Sequence, residues 1–184
     1  MAEPLRAPTA AIDLLDFSGE ALYFDEPNLP VVAELIATAQ AAPAPALARA
    51  RLEEALRLAP DDLTVIVALY RFFYFQHDFA AALPVAALAM NAAGRRLNIP
   101  GDWRALKPAD IERSGRASMA MTRFYLWALK GEAYLLMRLG RFEDAVAPLE
   151  KLVELDAADR LGGSGLLDLA RKTVSDLSET GSIL

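Results

Sequence analysis

Apolar residues recur along most of this chain at steps of three and four, the period of a helix with one buried face, and not at the alternate positions of a strand. Residues 47–58 are typical: Leu47, Ala48, Leu52, Ala55, Leu56 and Leu58 form one stripe, while Arg49, Arg51, Glu53, Glu54 and Arg57 take the other side. Residues 118–139 predict one unbroken helix of about six turns. The run Gly162-Gly163-Ser164-Gly165 breaks the chain as a flexible connection, and Leu166, Leu167, Leu169, Ala170, Val174 and Leu177 then outline a final amphipathic helix. A short extended piece at residues 21–24 is the one exception, so the pattern predicts an all-α fold.

The helical pattern repeats. Ala48, Ala55 and the Pro60-Asp61 pair align with Ala82 and Ala89 at an offset of 34 residues, which also carries Ile36 to Tyr70 and Ala39 to Phe73. A third unit places Gly140, Phe142, Ala145, Leu149, Leu152 and Asp156 in matching positions, with Phe142 and Ala145 corresponding to Phe79 and Ala82. Small residues such as Ala48, Ala82 and Ala145 let two helices approach closely, and Phe79 or Phe142 fills the space beside the turn.

On these residues the chain resembles the tetratricopeptide repeat (TPR) family, whose unit is a pair of antiparallel helices. The resemblance implies a short right-handed α-solenoid of about three TPR-like helical hairpins, at 29–62, 63–96 and 126–159, covering about 100 of the 184 residues. Residues 1–28 would be an acidic N-terminal extension, 94–117 an insert with one or two short helices, and 164–178 a capping helix that covers the last apolar face. The third unit matches best; Pro43 and Pro45 disturb the turn of the first, and the second carries Ala93-Gly94 in place of the closing proline.

In that family the first helix of each unit lines a concave groove. Carried over position by position, the groove would hold Ala33, Ala37 and Gln40, then Thr64, Val67, Arg71, Tyr74 and Phe75, then Trp127, Lys130, Tyr134, Met137 and Arg138. Cations beside aromatic and large apolar groups suit a peptide bearing acidic and aromatic residues. The same aromatic residues would equally serve as packing against neighbouring helices. The carboxylate clamp of chaperone-binding members is absent, because its positions hold Ala33, Ala37, Ala68, Trp127 and Gly131, with Arg71 alone polar.

Charge sharpens this picture. The formal net charge is -6, but residues 1–36 hold seven acids against one base, while residues 95–123 hold seven bases against three acids. In the insert, Arg95, Arg96, Trp103, Arg104, Lys107, Arg113 and Arg116 suggest a patch for an acidic partner, or else side chains that are solvated or paired with the acidic leader. The acidic overall balance argues against a general nucleic-acid binder.

Catalytic and cofactor chemistry finds few residues. There is no cysteine, which removes thiolate nucleophiles, disulfides and Cys-based metal sites, and His77 is the single imidazole, placed in a predicted turn. The acidic pairs Glu53-Glu54, Asp61-Asp62 and Glu143-Asp144 fall on polar helix faces or turns. No phosphate-loop, dinucleotide or hydrolase-elbow motif occurs, and the amides at 162–165 are the one weak anion-site candidate. No metal or cofactor is therefore expected, and no enzyme activity. The first ten residues lack an apolar signal core, and the most apolar segment, 63–75, is interrupted by Arg71 and falls short of the roughly 20 residues a membrane span needs, so a cytoplasmic protein without a membrane partner is expected.

The functional expectation is a protein–protein interaction module, an adaptor or assembly factor that grips a partner's peptide or helix. The alternative is a structural homo-oligomer whose groove is filled by its own N-terminal segment. Residues 123–163, together with the sequence RRLNIPGDWRAL, also resemble small repeat proteins encoded near bacterial nitrogen-fixation genes, which would imply a helper of metalloenzyme assembly or electron supply.

Overall fold

The computed structural model describes residues 28–181 and is all-helical over that span. Eight α-helices follow one another: α1 (Pro30–Gln40), α2 (Pro45–Leu58), α3 (Leu63–Phe75), α4 (Phe79–Leu97), α5 (Pro108–Ala117), α6 (Met119–Arg138), α7 (Phe142–Leu155) and α8 (Gly163–Gly181), with a single 3-10 turn at Trp103–Ala105 between α4 and α5. The acidic leader, including the extended piece expected at 21–24, lies outside the described residues apart from Asn28.

Local chemistry sets the helix ends. Proline, whose missing N–H costs nothing at a helix start, opens α1, α2 and α5. Asp62 caps α3 by accepting from the backbone N–H groups of Thr64 (2.8 Å) and Val65 (3.3 Å), Asp78 caps α4 through Ala81 (3.1 Å), and Ser118 caps α6 through Met121 (3.3 Å). Each of these caps stops the preceding segment from merging into the next helix. At the other end of α4, Asn98 takes a left-handed conformation with φ of 52° and turns the chain into the insert.

Helices adjacent in sequence pair as hairpins: α1 with α2, α3 with α4, and α6 with α7, while α8 packs along α7 and touches α6. The most extensive contact joins α4 to α6, where Ala89, Ala92 and Ala93 on α4 are buried and leave room for close approach. Ala82 and Ala145, the small residues of the repeat, are completely buried, and Phe79 and Phe142 pack against the cores beside them. One core runs through α1 to α4 and includes Leu135, a second joins the insert to α6 and α7, and a third lies among α6, α7 and α8.

The insert is part of the core and not an open connection. Trp103 is only 6% exposed and joins Leu106 and Ile111 against α6 and α7, and Lys151 on α7 donates to the Leu106 carbonyl at 3.1 Å. This corrects the expectation of an aromatic residue displayed among cations. The cations around it find partners nearby: Arg104 lies 4.1 Å over the Trp103 ring and pairs with Asp102 at 3.2 Å, Arg113 pairs with Asp110 at 2.6 Å, and Arg95 pairs with Asp61. Arg96 donates to the Ala92 carbonyl at 3.3 Å, Lys107 occupies the N-cap of α5, and Arg116 stands exposed in its last turn. Among the described residues of the insert, no cluster of cations surrounds an exposed ring.

The glycine run at 162–165 is likewise not a flexible connection. Gly163 already opens α8 and sits so tightly on Leu152 that a Cβ would come within 2.9 Å of that side chain. The amide expected to hold an anion is taken, because Ser164 N–H donates to Asp159 at 3.0 Å. Buried Asp156 accepts from the Leu161 amide at 2.7 Å and fixes the same turn.

Candidate protein-binding clefts on either side of helix α3

Helix α3 carries most of its large apolar residues around its circumference, so it meets a neighbour on each flank. Toward the first hairpin it leans on α2 and only lightly on α1. Small residues, Ala39, Ala42, Ala48 and Ala68, stand among Ile36, Leu52 and Phe72 along that gap, and a cleft of about 710 Å³ remains. Thr64, Val67, Arg71 and Phe75 stand along its α3 side, and Gln40 and Gln76 at its rim. Phe75 is 65% exposed, the Arg71 guanidinium lies 5.9 Å over the Phe75 ring, and Arg71 has no carboxylate partner among the described residues.

On its other flank α3 faces α6 across a cleft of about 340 Å³ lined by Tyr70, Tyr74, Trp127, Lys130, Gly131 and Tyr134. Glycine at 131 lets Tyr70 lie close against α6: a Cβ there would approach the Tyr70 hydroxyl to 3.0 Å. Tyr70 and Tyr74, one turn apart, stack with ring centres 6.2 Å apart, and Tyr74 meets Tyr134 across the cleft at 6.3 Å. Trp127, 52% exposed, stands at the mouth.

Two of the three hydroxyls, those of Tyr74 and Tyr134, are linked. The Tyr134 oxygen accepts from the Arg138 guanidinium at 3.2 Å and from the Tyr74 hydroxyl, which lowers the Tyr134 pKa. As the donor of that bond, Tyr74 is correspondingly raised. Tyr70 lies deeper, and burial pushes its pKa up to about 12, so all of its hydrogen-bonding at neutral pH is that of a neutral phenol. The Arg138 guanidinium also lies 4.4 Å over the Phe79 ring, and so is held at the edge of the cleft. Lys130 donates to the Leu161 carbonyl, which ties its ammonium to the turn before α8.

The groove residues expected from the sequence thus separate. Thr64, Val67, Arg71 and Phe75 line the first cleft, and Tyr74, Trp127, Lys130 and Tyr134 the second, with Arg138 beside it. Met137 does not belong to either: it is 8% exposed and packs with Leu167 and Ala170 of α8, which covers that flank of α6. Ala33 and Ala37 are exposed on α1 outside the first cleft. Tyr70, matched in the sequence to Ile36, and Gly131 are not among the groove positions that the family resemblance implies; the spacing of Tyr70 to Tyr74, one helical turn, is the signal the sequence offers for the first of them. His77 occupies an exposed turn with φ of 58° and meets Phe79 edge-on at 5.7 Å.

A second polar group lies under the insert. Burial pushes the Glu132 carboxyl above the usual carboxylate range, against the opposing pull of the Arg104 charge and of a hydrogen bond from Trp103. One Glu132 oxygen and the Tyr125 hydroxyl are buried without a hydrogen-bond partner among the described residues. Because the folded pKa of Glu132 is raised, its cost is absent where both states are protonated and grows as pH rises from the ordinary value of 4.5 through the folded one. Glu132→Gln is therefore expected to raise the melting temperature at pH 7 and to lose that advantage below pH of about 4. An advantage that does not change with pH would show that ionisation of Glu132 carries no cost. Among the described residues no three His, Asp or Glu side chains converge as metal ligands, and no helix is long and apolar enough to cross a membrane.

No family model and no solved structure matches the chain. It is 46% identical over 158 residues, 86% of this chain and 88% of the other, to the uncharacterized 19.8 kDa protein in the nifW 5' region of Azotobacter chroococcum mcd 1. With identity at that level over nearly the full length of both chains, this protein and the Azotobacter 19.8 kDa protein belong to one family.

Proposed function

We propose that the protein is a cytoplasmic, non-enzymatic interaction module: a short right-handed solenoid of three TPR-like hairpins, capped by α8, that grips a peptide or helix of a partner protein. The observation that carries this proposal is the cleft between α3 and α6, where Tyr70, Tyr74 and Tyr134 are locked in register and Trp127 stands half exposed at the mouth. Rigid aromatic rings lose little freedom when a ligand covers them, and such residues dominate binding energy at interfaces. Arg138 and Lys130 at the edges suit a partner segment that carries acidic as well as aromatic residues. The hairpin order and the complete burial of Ala82 and Ala145 support the repeat architecture.

The position of the relative in the nifW 5' region supports a role as an adaptor or assembly factor linked to nitrogen fixation. Trp127→Ala and Tyr134→Ala are each expected to weaken capture of the co-purifying partner by more than about 1 kcal/mol while leaving helical content unchanged. If pull-downs recover the same partner at the same yield with both residues replaced, the cleft is not the binding surface.

A further inference from the structure

The larger cleft lies between the first hairpin and α3, and differs from the tyrosine cleft in having a mainly aliphatic and alanine lining. Ile36, Ala39, Ala48 and Leu52 line its depth, Pro43 and Pro45 its exposed edge, its α3 side presents Phe72 and Phe75, and the one charged side chain lining it is Arg71, without a carboxylate partner among the described residues. It therefore calls for an occupant with bulky apolar groups and a carboxylate.

The chain itself contains such a segment. Residues 1–27 hold six acids against one base, and within them Ile12-Asp13-Leu14-Leu15-Asp16-Phe17 places two carboxylates among four large apolar side chains. The described chain begins at Asn28, immediately before α1, whose C-terminal half forms one wall of the cleft. The 11 residues of α1 span about 16 Å. The eleven steps from Phe17 to Asn28 extend to at most about 40 Å, so the motif reaches the cleft of its own molecule. A tether of that length supplies an effective concentration in the millimolar range.

We propose that residues 12–17 of the acidic leader occupy the α1–α3 cleft of the same molecule, with apolar side chains against Ile36, Ala39, Ala48 and Leu52 and Asp13 or Asp16 paired with Arg71. The α3–α6 cleft remains open in that arrangement, so this intramolecular docking is independent of the partner-binding proposal and fails or stands separately from it.

The absence of cysteine from the sequence makes a clean test available in the full-length chain. Ser18→Cys is paired with Gln76→Cys at the cleft rim, and in a control chain with Ala50→Cys, an exposed position on the side of α2 away from Ala48 and Leu52. Under mild oxidation the rim pair is expected to close an intramolecular disulfide about tenfold faster than the control pair. Leu14→Ser with Leu15→Ser, and separately Arg71→Glu, should bring the rim pair down to the control rate. Equal rates for the two pairs overturn the proposal, as does a rate that none of these changes lowers. Disulfide-linked dimers in place of the intramolecular product overturn it in favour of a second copy filling the cleft.

Discussion

Trp103→Ala is expected to destabilise the fold by about 3–5 kcal/mol, the range for deleting a large buried aromatic side chain. The indole is the anchor by which the insert holds to α6 and α7, together with Leu106 and Ile111. Three losses coincide. The ring's burial goes, Arg104 loses the face on which it lies, and Glu132 loses the donor that relieves its burial. The insert is then held by Ile99, Leu106 and Ile111 and by the bond from Lys151 to the Leu106 carbonyl. Chemical denaturation followed by circular dichroism checks this directly, and Trp103→Phe should recover part of the loss by restoring a ring while leaving Glu132 without its donor. A Trp103→Ala variant as stable as the native chain would return Trp103 to the surface role that its neighbouring cations suggest in the sequence.

Gly131→Leu is expected to abolish partner capture and to cost about 1–3 kcal/mol of stability, because the new side chain enters a space already shaped by the Tyr70 hydroxyl. Gly131→Ala makes the sharper comparison. A methyl group there meets the Tyr70 hydroxyl at 3.0 Å, a contact relieved by a shift of a few tenths of an ångström. Against it stands a gain of up to about 1 kcal/mol from replacing glycine within a helix. Alanine should thus be close to neutral for stability and only mildly harmful to binding, whereas leucine, which fills the cleft and displaces Tyr70 from α6, harms both. The pair is read by thermal melts alongside partner affinity. Full binding by the leucine variant would mean that the partner does not enter between α3 and α6.

How much of this was legible in the sequence depends on the range of the interaction. The helices, their caps at Asp62, Asp78 and Ser118, and the fully buried Ala82 and Ala145 all follow from spacing within one or two turns, which a single chain displays. Met137 shows where that information ends. Its angular position on α6 lies near that of Lys130, but α8 closes over it through Leu167 and Ala170, and periodicity does not say on which flank a cap will settle. Trp103 shows the same limit from the other side. Surrounded in sequence by Arg104 and Lys107, it suggests a surface, yet the three-residue step to Leu106 is the spacing of a short turn with one apolar side, and that side is the one the fold buries. Gly131 and Tyr70 come from different hairpins, so their complementarity is visible only once α3 and α6 are side by side. The glycine run before α8 suggests freedom, whereas its second residue, Gly163, is fixed by contact with Leu152.

The central claim is that a partner covers the aromatic cleft between α3 and α6. Hydroxyl-radical footprinting of the native chain, with and without its co-purifying partner, tests this most directly, because exposed aromatic rings are oxidised readily and lose reactivity when covered. Oxidation of Trp127 and Tyr134 is expected to fall sharply on binding, while Leu169 and Leu177, exposed on α8, remain as reactive as before. Unchanged oxidation of Trp127 and Tyr134 in the complex would contradict the account.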